Sequence, residues 1–377
     1  MSKNVSSSSV SSSISSSISS SISSSVQYNV LAIGDVHIKT DNIQNIELFI
    51  EKITKLAIDK NPDIIVLLGD ILDQHERLHT TCLNKAYSLV ERLSKITHTY
   101  VLVGNHDFIS NQEFLSTNHW MNGMKKWANV TIVDTPCIYE NKDKNINFTF
   151  MPYVYPGRFE EGLKNIDNDM WRLSNVIFCH QEFKGCKMGA IISEIGDIWP
   201  LEYPHIVSGH IHQTQKPQEN IYYTGSSIQI AFGESTHNIV SLLKFSCLDN
   251  PYKLDEIDLN LPRKKILYMD IDKIDAYEVQ KDEVNESDSH DKIKISVCGN
   301  YDEFKALKKT KKYREIVNKG IKIVFKPKKI DIIEKDDKKD MNTETLFTSI
   351  LREIINEQND DSLNEAYELI VNNRRIK

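Results

Sequence analysis

Three apolar runs of strand length, Val30–Ile33, Ile64–Leu68 and Tyr100–Val103, each stop at a glycine followed by an acid or an amide. Helical apolar spacing near 43–60 and 81–95 separates them. Strand, helix, strand, helix predicts a layered α/β core whose polar groups gather at the carboxyl ends of the strands. Later apolar segments, around 130–139, 147–153, 175–179, 205–208, 221–224 and 238–245, have shorter connections. They predict a second sheet packed on the first.

The residues just after each strand carry the chemistry. The first run leads into Gly34-Asp35-Val36-His37, the second into Gly69-Asp70 and the third into Gly104-Asn105-His106-Asp107. Phe178-Cys179-His180 and Gly209-His210-Ile211-His212 come after two further runs. A single Asp-x-His means little, and a lone buried histidine is more often hydrogen-bonded in a core. Oxygen and imidazole donors at five successive strand ends are another matter, because they make a ligand set suited to two transition-metal ions. A carboxylate can bridge two cations about 3.5–4 Å apart, which together lower the pKa of a shared water and neutralise an in-line phosphoryl transition state. Neutral imidazoles keep affinity without cancelling the metal charge.

The five elements, D-x-H, G-D, G-N-H-[DE], H and G-H-x-H in that order over residues 30 to 212, resemble the calcineurin-like metallophosphoesterases. The resemblance implies a four-layer α/β/β/α sandwich with a small α+β capping domain. It places Asp35, His37, Asp70 and His212 around one metal, and Asp70, Asn105, His180 and His210 around the second. His106 would protonate the leaving oxygen or steady the transition state, and Asp107 would orient it.

Within that superfamily the second motif, Gly69-Asp70-Ile71-Leu72-Asp73 continuing to His75, is similar to the nuclease branch. The phosphatase pattern is instead G-D-x-V-D-R-G with G-N-H-E. Tyr223-Thr224-Gly225-Ser226-Ser227-Ile228-Gln229, ending in Phe232-Gly233-Glu234, resembles the same region of Mre11/SbcD-type DNA repair nucleases, although Pro is frequent there where Ser227 stands. This implies manganese-dependent DNA cleavage, with His75 near the scissile phosphate. It also implies a homodimer and an SMC-like ATPase partner of the Rad50/SbcC type. The layout resembles versions carried by phages and large DNA viruses. A small-ester phosphodiesterase or phosphatase of the same superfamily, or a non-catalytic scaffold, are the rival readings.

The rest of the chain bears on the partner. The formal net charge of -7 argues against nucleic acid, but Lys305 to Lys329 hold eleven basic residues against Glu315 alone. Such a stretch can neutralise phosphates whatever the sign of the whole chain, so Lys308, Lys309, Lys311, Lys312 and Arg314 are candidate DNA contacts. The alternative is a solvated helix face. These residues sit in a predicted strand-helix-strand unit: Lys292–Val297, a helix from about Tyr301 to Asn318, and Ile321–Phe325.

The boundaries predicted are a Ser-rich disordered leader over 1–27, a phosphoesterase domain over 28–262, a basic cap over 263–330, and a linker with a helical tail over 331–377. Leu346, Phe347, Ile350, Leu351, Ile354 and Ile355 recur at helical spacing, so the tail near 345–373 is a candidate docking helix for the ATPase. Six scattered cysteines predict a reducing, intracellular setting without disulfides, and no apolar span is long enough for a membrane. The expected chain is soluble, with no membrane partner.

Overall fold

The computed structural model describes residues 27–75, 77–246, 251–278 and 291–328, together with Leu351, Arg352, Ile355, Leu363 and Tyr367. The chain divides into two compact units, Met1–Pro327 and Lys328–Lys377. The Ser-rich leader and nearly all of the candidate docking helix lie outside the described residues. Among the described residues, no helix is long and apolar enough to cross a membrane.

Two six-stranded sheets form the larger part of the first unit. The first holds β1 (Tyr28–Ile33), β2 (Ile64–Leu67), β3 (Thr99–Leu102), β4 (Val130–Val133), β13 (Val240–Phe245) and β14 (Lys253–Ile257), in the order β14-β13-β1-β2-β3-β4. The second holds β5 (Cys137–Asn141), β6 (Ile146–Met151), β7 (Val176–His180), β10 (His205–Gly209), β11 (Gln215–Gln218) and β12 (Ile221–Tyr223), in the order β11-β12-β10-β7-β6-β5. Between β7 and β10 in sequence lies a short ribbon of β8 (Lys187–Met188) and β9 (Ile191–Ile192). Each large sheet contains a block of four parallel strands, extended by antiparallel strands: β13 and β14 on one side of the first block, β11 and β5 on either side of the second. Parallel strands are covered on both faces, which is why β1, β2, β3 and β7 read as nearly continuous apolar runs.

Side chains from both sheets interlock in the middle. Tyr28, Val30, Val66 and Leu102 from one meet Phe148, Phe150, Phe178 and Val207 from the other. The outer face of the first sheet packs on α1 (Ile43–Lys60) and α2 (Thr80–Ser94). In α1, the buried residues Ile46, Phe49, Ile50, Ile53 and Ala57 recur at three- and four-residue spacing, the stripe a helix needs to lie on a sheet. The outer face of the second sheet is covered by α3 (Phe159–Leu163), the 3₁₀ turn Asp167–Leu173 and the loop to Trp199. The result is a four-layer sandwich whose fourth layer is thin. Its anchor is Trp171, fully buried against Trp199 and Tyr203. Trp171→Ala is expected to destabilise the fold by about 3–5 kcal/mol, read from the midpoint of denaturant unfolding.

The predicted segment 130–139 is two strands. Asp134, Thr135 and Pro136 interrupt it, and the chain crosses there from the first sheet to the second. The unit after residue 262 also differs from expectation. It is a three-stranded parallel sheet in the order β15-β16-β17, formed by Lys264–Asp270, Lys292–Gly299 and Lys322–Pro327. The single helix expected over 301–318 is α4 (Tyr301–Leu307) and α5 (Lys311–Asn318). Thr310 starts α5 afresh by accepting the Tyr313 N–H on its hydroxyl, a cap that competes with helix continuation.

Candidate metal centre

Every sequence-identified donor comes to one place, the carboxyl ends of β1, β2, β3, β7 and β10. Asp35, His37, Asp70, Asn105 and His180 are buried there, with His210 and His212 partly exposed. Three of the seven, His37, Asp70 and His210, hold a left-handed backbone at φ 47°, 50° and 76°. Non-glycine residues adopt it at a cost of about 1–3 kcal/mol, and such strain concentrates at functional sites. Gly104 is required by proximity, because a Cβ there would lie 2.2 Å from Asp70 Oδ1.

The donors are oriented from behind. His37 Nδ1 lies 3.3 Å from Asp73 Oδ1, and His212 Nδ1 lies 3.1 Å from Glu234 Oε1. His180 Nδ1 donates to the Leu68 carbonyl at 2.7 Å. The hydrogen bonds of His180 and His212 place the ring proton on Nδ1 and leave a lone pair on Nε2, and the Asp73 carboxylate beside His37 Nδ1 favours the same tautomer there. The Nε2 atoms of His37 and His212 are 3.1 Å apart, and Asp35 Oδ2 lies 3.9 and 3.8 Å from them. That carboxylate oxygen is buried without a hydrogen-bond partner. On the other side, His180 Nε2 faces Asn105 Oδ1 at 3.0 Å and Asp70 Oδ2 at 3.3 Å, while His210 Nδ1 faces Asn105 Oδ1 at 2.9 Å.

Acceptors turned on acceptors repel unless a cation lies among them, so both clusters fit divalent ions. Within each, ligand atoms lie within 4.8 Å of one another: Asp35, His37 and His212 in one, Asp70, His180 and His210 in the other, with His37, Asp70 and His106 a third such group between them. Asp70 is placed to serve both, 3.5 Å from His37 Nε2. Burial alone would raise its pKa, but the imidazoles of His180, His37 and His106 around it override that and hold it well below the usual carboxylate range. Burial pushes His210 down to about 3, helped by its neighbour His180.

His106 sits at the edge of the donors. Its backbone N–H donates to Asp70 Oδ1 at 2.8 Å, and its Nδ1 donates to the Asp73 carbonyl at 2.8 Å. His75 stacks on the same ring with centroids 4.9 Å apart and planes 12° from parallel. The structure corrects the expectation for Asp107. Its carboxylate accepts the backbone N–H groups of Gly104, Ile71 and Leu72 and the Trp120 indole N–H, and the Asp73 carbonyl orients His106 instead. A buried carboxylate takes the nearest donors, and the loop amides lie nearer than the ring. Asp107 therefore holds the loop that carries Asp70.

Asp73 and Glu234 lie inside the sequence motifs, yet the motifs alone do not mark them as site residues. The signal that could find them is their place at the ends of segments that carry or adjoin ligands. Glu234→Gln is expected to weaken metal binding by about 10–100-fold with the fold intact, measured by calorimetric titration. An open cleft lies over the cluster, lined by Asp70, Asn105, His106, Lys187, Met188, His210, His212 and Glu234. Lys308, Lys309, Lys311, Lys312 and Arg314 do not line it.

Comparison with known proteins agrees with this geometry. The calcineurin-like phosphoesterase family matches residues 28–214. Protein 078R of Invertebrate iridescent virus 3 is 40% identical over 339 residues, 89% of this chain and 94% of that protein. The chain is a calcineurin-like phosphoesterase. Protein 244L of Invertebrate iridescent virus 6 is 48% identical over 286 residues, 75% of this phosphoesterase and 98% of the relative. Both viral proteins carry provisional phosphoesterase names. Among solved structures, a dimetal phosphatase from Danio rerio aligns over 62% of this phosphoesterase and 99% of that chain, at TM-score 0.41 and 10% identity.

Proposed function

We propose that this phosphoesterase is a two-metal DNA nuclease, an Mre11/SbcD-type subunit of a double-strand break repair or recombination complex, with manganese as the favoured ion. The two opposed clusters of acceptors sharing Asp70 carry the hydrolytic part of this reading. The DNA part is supported by the lysine-rich sheet of β15, β16 and β17, whose first strand is bound into the site's own loop. Lys264 N–H donates to Gln229 Oε1 at 2.6 Å, and Gln229 Nε2 donates to the Glu234 carbonyl at 3.2 Å.

In this reading, Asp35, His37, Asp70 and His212 hold one ion, and Asp70, Asn105, His180 and His210 the other. Bound there, the ions would activate a water and neutralise phosphoryl charge. The protein's own residues do the rest. Glu234 and Asp73 keep His212 and His37 in the tautomer that offers Nε2. The Asp73 carbonyl accepts the His106 Nδ1–H, so it is the Nε2–H of the protonated ring that would give its proton to the leaving oxygen or hydrogen-bond to its charge. His75, stacked on that ring, restricts its rotation. A homodimer and an SMC-like ATPase partner, docked through the tail near 345–373, complete the proposal. Deleting residues 342–377 would then abolish capture of the ATPase in a pull-down.

The direct test is incubation of purified protein and manganese with end-labelled linear DNA, closed circular DNA and an aryl phosphodiester. Cleavage of either DNA at rates well above the aryl ester supports the nuclease. Turnover of the aryl ester alone returns the chain to the small-ester reading.

A further inference from the structure

The small sheet has two unlike faces. Strand alternation sends Ile293, Ile295, Val297 and Ile323 to one of them, where Phe304 and Leu307 of α4 and Ile316 of α5 cover them. The register fixes what the opposite face shows. Lys294 lies between Ile266 and Lys322, Ser296 between Tyr268 and Val324, and Cys298 between Asp270 and Lys326. Lys326 Nζ stands 6.0 Å from the Tyr268 ring across the central strand, as two side chains on one face must. Tyr268 is 69% exposed, an unusual position for a large aromatic on a sheet.

Among the described residues, two lysines of the helical layer have an ion-pair partner and the three lysines of this face have none. Lys312 and Lys319 both reach Glu315, at 4.0 and 3.3 Å. Among the described residues, no carboxylate pairs with Lys294, Lys322 or Lys326. The face lies beside a segment that lines the cleft. Lys294 Nζ sits 4.7 Å over the ring of Phe232, two residues before the cleft-lining Glu234. Lys264, at the same end, is buried and donates to the Ile230 carbonyl.

A sheet face whose lysines have no ion-pair partner among the described residues, set around an exposed aromatic ring beside a phosphoesterase site, has the chemistry of a platform for an unpaired nucleic-acid strand. Lysines track the phosphates and the ring stacks a base, and neither contact depends on sequence. We infer that the open face of β15, β16 and β17, with Lys294, Lys322, Lys326 and Tyr268, binds single-stranded DNA and leads it to the metal centre. This deepens the nuclease reading and rests on it. It also moves the DNA contact from Lys308, Lys309, Lys311, Lys312 and Arg314, which belong to the helical layer, to the opposite side of the sheet.

The test is fluorescence anisotropy of a labelled oligothymidylate with the full chain, in calcium to prevent turnover and over a series of salt concentrations. The double variant Lys322→Gln, Lys326→Gln should bind roughly tenfold more weakly and lower the salt slope by about 1.4, at about 0.7 per phosphate contact on a single strand. Tyr268→Ala should lose roughly five- to hundredfold in affinity with the slope unchanged, and Tyr268→Phe should restore it, since stacking needs the ring and not the hydroxyl. Thermal unfolding of each variant at the wild-type temperature excludes misfolding as the cause. Binding that survives both changes, or that falls instead with Lys308→Gln and Lys309→Gln, overturns the inference, as does a wild-type chain that binds duplex but not the single strand. A wild-type chain that binds the oligonucleotide yet cleaves no DNA with manganese sinks the nuclease reading alone. One that cleaves DNA but whose binding ignores Lys322, Lys326 and Tyr268 sinks the surface alone.

Discussion

Asp70→Asn is expected to reduce phosphodiester hydrolysis on the order of 10³-fold or more. The substitution keeps size and shape, and its amide oxygen can still accept the His106 N–H that now reaches Asp70 Oδ1 at 2.8 Å. What it removes is the negative charge between His37 Nε2 and His180 Nε2, 3.5 and 3.3 Å from Asp70 Oδ2. Two cations brought together without a shared carboxylate repel each other, and the loss of several kcal/mol of transition-state stabilisation corresponds to at least three decades in rate. A steady-state assay with circular dichroism as folding control measures this. Turnover within tenfold of wild type would remove Asp70 from the centre of the mechanism.

His106→Ala should separate binding from chemistry. In the proposed mechanism the imidazole would contribute proton transfer or charge stabilisation, for which about 10²–10⁴-fold is usual. Its ring is not needed to shape either outer ligand cluster, Asp35 with His37 and His212, or Asp70 with His180 and His210. The variant is therefore expected to bind metal with near wild-type stoichiometry and to lose its activity in kcat. Because His75 stacks on the same ring, His75→Ala should show a smaller loss in the same parameter. A His106→Ala protein that remains competent would refute the assigned role.

Much of the fold and nearly all of the donor set could be read from the amino-acid sequence because both are local. A buried parallel strand is a short apolar run, and the residue after it is held at the sheet's carboxyl edge whatever surrounds it. Asp35, Asp70 and Asn105 needed no more than that. The parts that escaped are set through space. Segment 130–139 is apolar on both sides of the point where the chain changes sheets, so its composition conceals the crossing at Asp134–Pro136. Strand β15 is recognisable only from its pairing with β16. Asp107 comes directly after His106 in the chain, which suggests a partnership, yet four donors from Gly104, Ile71, Leu72 and Trp120 claim its oxygens. Counting lysines located the basic unit but not the face proposed to bind DNA, since only the strand register tells Lys322 and Lys326 from Lys308 and Lys309.

The proposed mechanism centres on two cations that Asp70 would share, so counting them is its most direct test. Calorimetric titration of manganese into metal-stripped full-length protein should resolve two sites per chain, and hydrolysis should appear only as the second fills. Asp70→Asn should lose at least one of the two. A single site, or hydrolysis that persists in the stripped protein, would contradict a two-metal mechanism.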